Sequence, residues 1–327
     1  MTDLLTRGQL EMLAQTLDAD PADLASLTRL GAQNLRELRE RISDRLFDAH
    51  AATFARVSKL APLVPNALAA KVVLKAVPAE VGGRAGGAVG VDHPDRAAGL
   101  LGELTPEYMA DAAPYLDPRA IPVLAPRMPA EVLVPAANEL LRRRDYVTSA
   151  RFVEHATDEL IRGFERGIAD DEGLLRTGAL TPSADRLNDV VRVLSAERRS
   201  AIVRAASASS DETLIAGISV LSRLEPGLRR ELGGEFLDGL DEAGLDRLFT
   251  VAIEGEAVVE LMTVLSAVDE RHLPPVAARL SSGDGTVVGA LLDQATTPAA
   301  RRALQAIGAL LEPPVRDRLT ELSSHSE

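Results

Sequence analysis

The chain has no cysteine and no tryptophan, only three tyrosines and six phenylalanines among 327 residues, and its only lysines are Lys59, Lys71 and Lys75. Without cysteine there is no disulfide framework, no thiolate nucleophile and no Cys-ligated zinc or iron–sulfur centre. With 3% aromatics and 46% apolar residues, the core must be assembled from Ala, Leu, Val and Ile. Ala and Leu are strong helix formers, so composition already favours helix. No apolar run reaches the roughly 18 residues of a membrane span. The longest candidate, 60–77, is cut by Pro62, Pro65, Lys71 and Lys75. The opening Met1-Thr2-Asp3-Leu4-Leu5-Thr6-Arg7 lacks the basic start, apolar run and small-residue cleavage site of a signal peptide. These absences predict a cytoplasmic protein with no integral membrane segment, and the arginine bias suits a GC-rich bacterial genome.

Positive charge is also short. The formal net charge is -13, and residues 170–327 hold 26 acids against 16 bases. Such a surface repels nucleic-acid phosphates and anionic lipid heads, so nucleic acid is not an expected partner. The histidines His50, His93, His155, His272 and His325 have no ligand spacing, and no Gly-x-Ser-x-Gly elbow occurs. Neither a cofactor nor a metal site is expected, and no catalytic residue is assigned.

What is present is repetition. Leu104-Thr105-Pro106-Glu107, Leu116-Asp117-Pro118-Arg119 and Met128-Pro129-Ala130-Glu131 recur every 12 residues, and Val77-Pro78-Ala79-Glu80 and Val91-Asp92-His93-Pro94 continue the series upstream. Each reads as the end of one helix, a polar cap, a proline near the first helical position and an acidic first turn. Helices of about eight to ten residues, paired into hairpins of about 24, follow from that spacing. After about residue 180 the marks are wider apart, at Leu194-Ser195-Ala196-Glu197, Leu224-Glu225-Pro226, Leu240-Asp241-Glu242, Val268-Asp269-Glu270 and Leu311-Glu312-Pro313-Pro314, and predict longer helices. No alternating strand pattern appears. The expected fold is all-α, tandem helical hairpins in a solenoid-like right-handed superhelix. It is organised as N-terminal amphipathic helices (1–60), tight Pro-marked repeats (61–165) and looser acidic repeats (166–327). Within the first segment, Leu24, Leu27, Leu30, Leu35, Leu38, Ile42, Leu46 and Phe47 mark one amphipathic helix from Ala22 to about Ala49, a cap for the first repeat or a dimerisation helix.

The stretch from His93 to Glu107, with the two Pro-marked units after it, resembles the intracellular N-terminal domain of MgtE-type magnesium transporters and the related helical repeats of the flagellar switch protein FliG. The resemblance covers about residues 90–145 and implies a short right-handed array of paired helices that packs against other domains. No membrane domain accompanies it here. The acids Asp92, Asp95, Glu103 and Glu107 read as helix-start residues suited to the macrodipole.

Three segments stand out. Glycines 82, 83, 86, 87 and 90, with Arg84 the one cation among them, are spaced by four; a close-packing helix groove, a mobile loop and a ligand-approach site are the competing readings. The run Arg142-Arg143-Arg144-Asp145-Tyr146, with Arg151 and His155 four apart, would form a carboxylate or phosphate clamp if helical, or else a solvated helix end. Arg84, Arg143, Arg144, Tyr146, Arg151 and His155 are therefore the candidate ligand- or partner-binding residues. The segment from Leu60 to Leu74 is apolar around nearly the whole helical circumference, which predicts a buried helix. The leading expectation is a non-enzymatic scaffold or adaptor that binds a protein partner or self-associates. The alternatives are a carrier for an apolar, lipid-like molecule held beside Leu60–Leu74, and an enzyme built on Tyr146, Arg151 and His155.

Overall fold

The computed structural model describes residues 4–282 and 286–311, with 313 and 316; Glu312, Pro314 and His325, and the side chain of His50, lie outside the described residues. Among the described residues every regular element is a helix, so the fold is all-α. The chain divides into two compact units, one of Thr6–Leu194, the other of Ser195 onward with the first residues of the chain.

The first unit holds α1 (Leu4–Leu17), α2 (Gly31–Leu60), α3 (Asn66–Ala76), α4 (Ala79–Asp92), α5 (Pro94–Leu101) and α6 (Pro106–Ala112). It continues through α7 (Ile121–Leu124), α8 (Ala130–Arg142), α9 (Tyr146–Val153), α10 (Asp158–Gly167), α11 (Asp171–Leu180) and α12 (Ala184–Val193). Two layers result. One runs α2, α4, α6, α8, α10, α12, each packed on the next; the other begins with α3 on α5 and α5 on α7.

Local chemistry accounts for most of the boundaries. Thr105, Asp145, Thr157, Asp170 and Ser183 each cap a helix by accepting from a backbone N–H three residues on. Pro94 and Pro106 occupy the first helical position, as expected. Pro78 and Pro129 instead sit one residue earlier, at the cap itself. After Asp117 the expected helix is replaced by 3-10 turns at Pro118–Ala120 and Ala125–Arg127 around the four-residue α7, because Pro122 and Pro126 remove N–H donors a longer helix needs.

The single amphipathic helix expected from Ala22 to Ala49 is also corrected. Pro21–Leu30 is a 3-10 helix, and α2 starts at Gly31, whose φ of 74° is a left-handed backbone that glycine alone adopts without strain. The leucine pattern still does its work: Leu10, Leu13 and Leu35 form a buried cluster with Leu24, Leu27, Leu38 and Ile42 around it.

In the second unit, α13 (Ala196–Ala208), α14 (Asp211–Arg223), α15 (Pro226–Asp238) and α16 (Glu242–Glu254) are each 13 residues long, but α4 and α8 of the first unit have 14 and 13, so the wider punctuation does not separate the two blocks by helix length. They are followed by α17 (Val258–Leu265), α18 (Leu273–Ser281), α19 (Thr286–Gln294) and α20 (Pro298–Gly308). Phe236, Leu214, Ile218, Leu248, Leu261, Met262, Leu265 and Leu291 are almost wholly buried there. The core is aliphatic, with Phe236 its largest fully buried side chain.

Candidate functional site

The glycine segment is a helix, and its spacing by four is a packing device. An added Cβ on Gly83 would lie 2.3 Å from the Ala112 carbonyl oxygen, and one on Gly87 would lie 2.6 Å from Asp117 Cβ. Gly90 meets Leu124 and Ala120, and Gly82 meets the Tyr108 hydroxyl, which donates to Val77 O at 3.1 Å. Only Gly86, of the five, has nothing within 4 Å. Arg84 pairs with Glu80 one turn earlier at 2.9 Å.

The arginine run is largely engaged within the fold. Arg142 and Arg143 both bond Glu139, drawing its carboxyl down to about 2, and Arg143 also pairs with Asp111. Arg144 takes a left-handed backbone, φ 59°, where the chain leaves α8. The ring of Tyr146 lies under the Arg176 guanidinium, 4.7 Å from its centroid. Arg151 donates to two backbone carbonyls, Pro114 O at 2.9 Å and Leu116 O at 3.0 Å, and burial pushes it down to about 10.

α9 ends at Val153, so Arg151 and His155 do not share a helical face, contrary to the spacing argument. His155 is half-buried, and burial lowers its pKa against the pull of Glu154. Beside it Arg36 bridges Glu40 at 2.9 Å and Glu154 at 2.6 Å. Asp117, the cap expected before Pro118, is a second knot: it accepts from Arg119 N at 2.9 Å and also grips the Arg119 guanidinium, which reaches on to Asp48 at 2.8 Å. These contacts hold loop to helix.

Of the acids expected at helix starts, Asp95 and Glu107 lie in first turns, whereas Asp92 ends α4 and Glu103 lies in the turn after α5. Asp92 accepts from Ser58 Oγ at 2.6 Å, Asp95 pairs with Arg127 at 2.7 Å, and Glu107 lies in the first turn of α6. No group of three or more His, Asp or Glu gathers among the described residues. A shallow pocket of about 440 Å³ is lined by Asp95, Ala98, Gly99, Arg127 and Val132, and the Asp95–Arg127 pair uses up its charges on each other.

The largest departure from expectation is the Leu60–Leu74 segment. Instead of a buried helix it forms the end of α2, a 3-10 turn at Ala61–Leu63 and α3, in which Ala70 alone is buried. Leu63 is 76% exposed, Leu60 59%, Leu68 54% and Val72 53%, with Val57, Val64 and Leu74 exposed beside them. The cause is position: α3 is the first helix of its layer, so α5 covers one side of it and, among the described residues of the first unit, no further helix of that layer covers the other.

Charge sets this surface apart as well. Between Asp48 and Glu80 there is no acidic residue, while Arg56 and all three lysines of the chain, Lys59, Lys71 and Lys75, fall in that interval. These four cations are exposed and have no carboxylate partner among the described residues, whereas the flanking Asp48 and Glu80 are paired with Arg119 and Arg84. The signal was legible as an acid-free stretch in a chain of net charge -13. An exposed apolar patch that carries one sign of charge is a contact surface by its chemistry.

Set against family models, curated proteins and solved structures, the chain matches none. No helix among the described residues is long and apolar enough to cross a membrane.

Proposed function

We propose that the protein is a non-enzymatic helical-repeat scaffold that binds another protein, its hairpins stacked in the solenoid-like manner of MgtE-type N-terminal domains, and that it works in the bacterial cytoplasm. The observation that carries this reading is the uncovered apolar and basic surface of α3 and the end of α2, in contrast to Arg142, Arg143 and Arg151, which are spent on internal carboxylates and carbonyls. The layered packing of α2, α4, α6, α8, α10 and α12 supports the array, and a stack of this kind offers extended surface for a partner.

The test is isolation of the tagged full-length chain from its own cells at low salt. A stoichiometric protein partner that elutes as salt rises through the range where surface charges are screened is the expected result. A preparation that holds no protein partner at low salt rejects the scaffold reading.

A further inference from the structure

The uncovered face has a shape and a charge that specify what fits it. Leu68, Lys71, Val72 and Lys75 are spaced i, i+3, i+4, i+7, so they form one stripe along α3, and all four are exposed. Leu60 and Leu63 extend the apolar part of the stripe across the preceding turn, and Arg56 and Lys59 extend its charge. The opposite side of α3 packs on α5, which packs in turn on α7. The stripe is therefore the open end of a helical layer, the place where a further helix would sit if the stack had one more repeat. A solenoid end ordinarily closes with a polar outer face; here the outer face keeps its leucines and valines.

We propose that this end accepts an amphipathic helix of a partner protein, apolar on one side and acidic along its flanks, laid on α3 as the next member of the layer. This rests on the scaffold reading and names its surface and the chemistry of its partner. The apolar side of the incoming helix covers Leu60, Leu63, Leu68 and Val72, and its carboxylates meet Lys59, Lys71, Lys75 and Arg56, which have no acid to pair with among the described residues. Helix-in-groove binding of this kind draws affinity from the apolar anchors and partner choice from the charges.

Two other occupants fit less well. A second copy placing the same stripe on this one would bring the cations Arg56, Lys59, Lys71 and Lys75 of both copies into one interface with no carboxylate between them, a like-charge contact. An anionic bilayer would approach a chain of net charge -13, and the lysines lie within the apolar stripe rather than around it.

The test uses the full-length chain and a labelled synthetic helical peptide about 21 residues long, with leucines at helical spacing and glutamates on the flanks. It is run beside the same peptide with lysine for glutamate, and beside phosphatidylcholine vesicles containing phosphatidylglycerol. Fluorescence anisotropy is expected to show the acidic peptide binding at least about tenfold more tightly than the basic one, with affinity falling as salt is raised. Lys71→Glu with Lys75→Glu, and separately Leu68→Asp with Val72→Asp, should each weaken that binding by about tenfold or more while the circular-dichroism melt is unchanged, because these positions are exposed. Absence of peptide binding, equal affinity for both peptides, variants that bind as the parent does, co-sedimentation with the vesicles, or a dimer that the lysine substitutions dissolve would each overturn the proposal. If the partner isolated from cells remains bound to the Lys71→Glu, Lys75→Glu variant, this surface is refuted and the scaffold reading stands.

Discussion

Two glycines on one helix, three residues apart, give the strongest test of how α4 is held. In a helix interior alanine is favoured over glycine by about 0.8–1 kcal/mol. At Gly86 nothing lies within 4 Å of the added methyl group, so Gly86→Ala should collect that whole amount. At Gly83 the same methyl would sit 2.3 Å from the Ala112 carbonyl oxygen and 2.9 Å from Tyr115 Cβ. The first of these is backbone, which no rotamer change can move aside, so the cost belongs at the upper end of the overpacking range, about 3 kcal/mol. Set against the propensity gain, Gly83→Ala should lose about 2 kcal/mol net, leaving the two alanine variants about 3 kcal/mol apart. For a cooperative unit of this size, 1 kcal/mol moves the melting temperature by about 2–4 °C. Thermal melts followed by circular dichroism should therefore rise by about 2–4 °C for Gly86→Ala and fall by about 4–8 °C for Gly83→Ala. If Gly83→Ala proves as stable as Gly86→Ala, the close approach of α4 to the end of α6 is wrong.

Other substitutions probe the remaining contacts. Arg151→Met removes the two donors to the Pro114 and Leu116 carbonyls and should destabilise the first unit by about 1–3 kcal/mol in urea titration; sulfate or phosphate should not stabilise the parent in the saturable way an anion clamp requires. His155 has a pKa lowered by burial, so the unfolded chain takes up its proton first, near 6.5. Stability should accordingly fall as pH drops through 6.5 and level off below the folded pKa, and His155→Gln should flatten that part of the urea-midpoint profile. Gly234→Ala would bring a methyl 2.7 Å from Nε2 of His272, a buried ring tied to Asp238 at 2.7 Å, and should lower the melting temperature of the second unit; with His272→Ala added, most of that loss should disappear.

Amino-acid order alone determined what local chemistry determines. The aliphatic composition, the proline and Ser/Thr/Asp caps and the absence of strand alternation gave an all-α chain, whereas helix length did not follow the spacing of the punctuation: α4 and α8 are as long as α13 to α16, and α17 is 8 residues. Those signals act within about one helical turn, so they can be read without knowing what the helix packs on. The glycine spacing left a packing groove, a mobile loop and a ligand-approach site open, and the structure decided for the groove. Which glycines are crowded, 83 and 87 rather than 86, depends on loops about thirty residues away.

Tertiary structure decided everything that turns on a distant neighbour. Arg151 has the composition of an anion clamp, yet carbonyls at 114 and 116 occupy it. The segment from Leu60 to Leu74 has the composition of a core helix, and apolar residues all round a helix ordinarily mean burial. Burial needs a cover on every side, however, and among the described residues of the first unit α3, first in its layer, has α5 on one side only. The same apolar sequence that would make a core helix in mid-stack therefore makes an exposed face at its end.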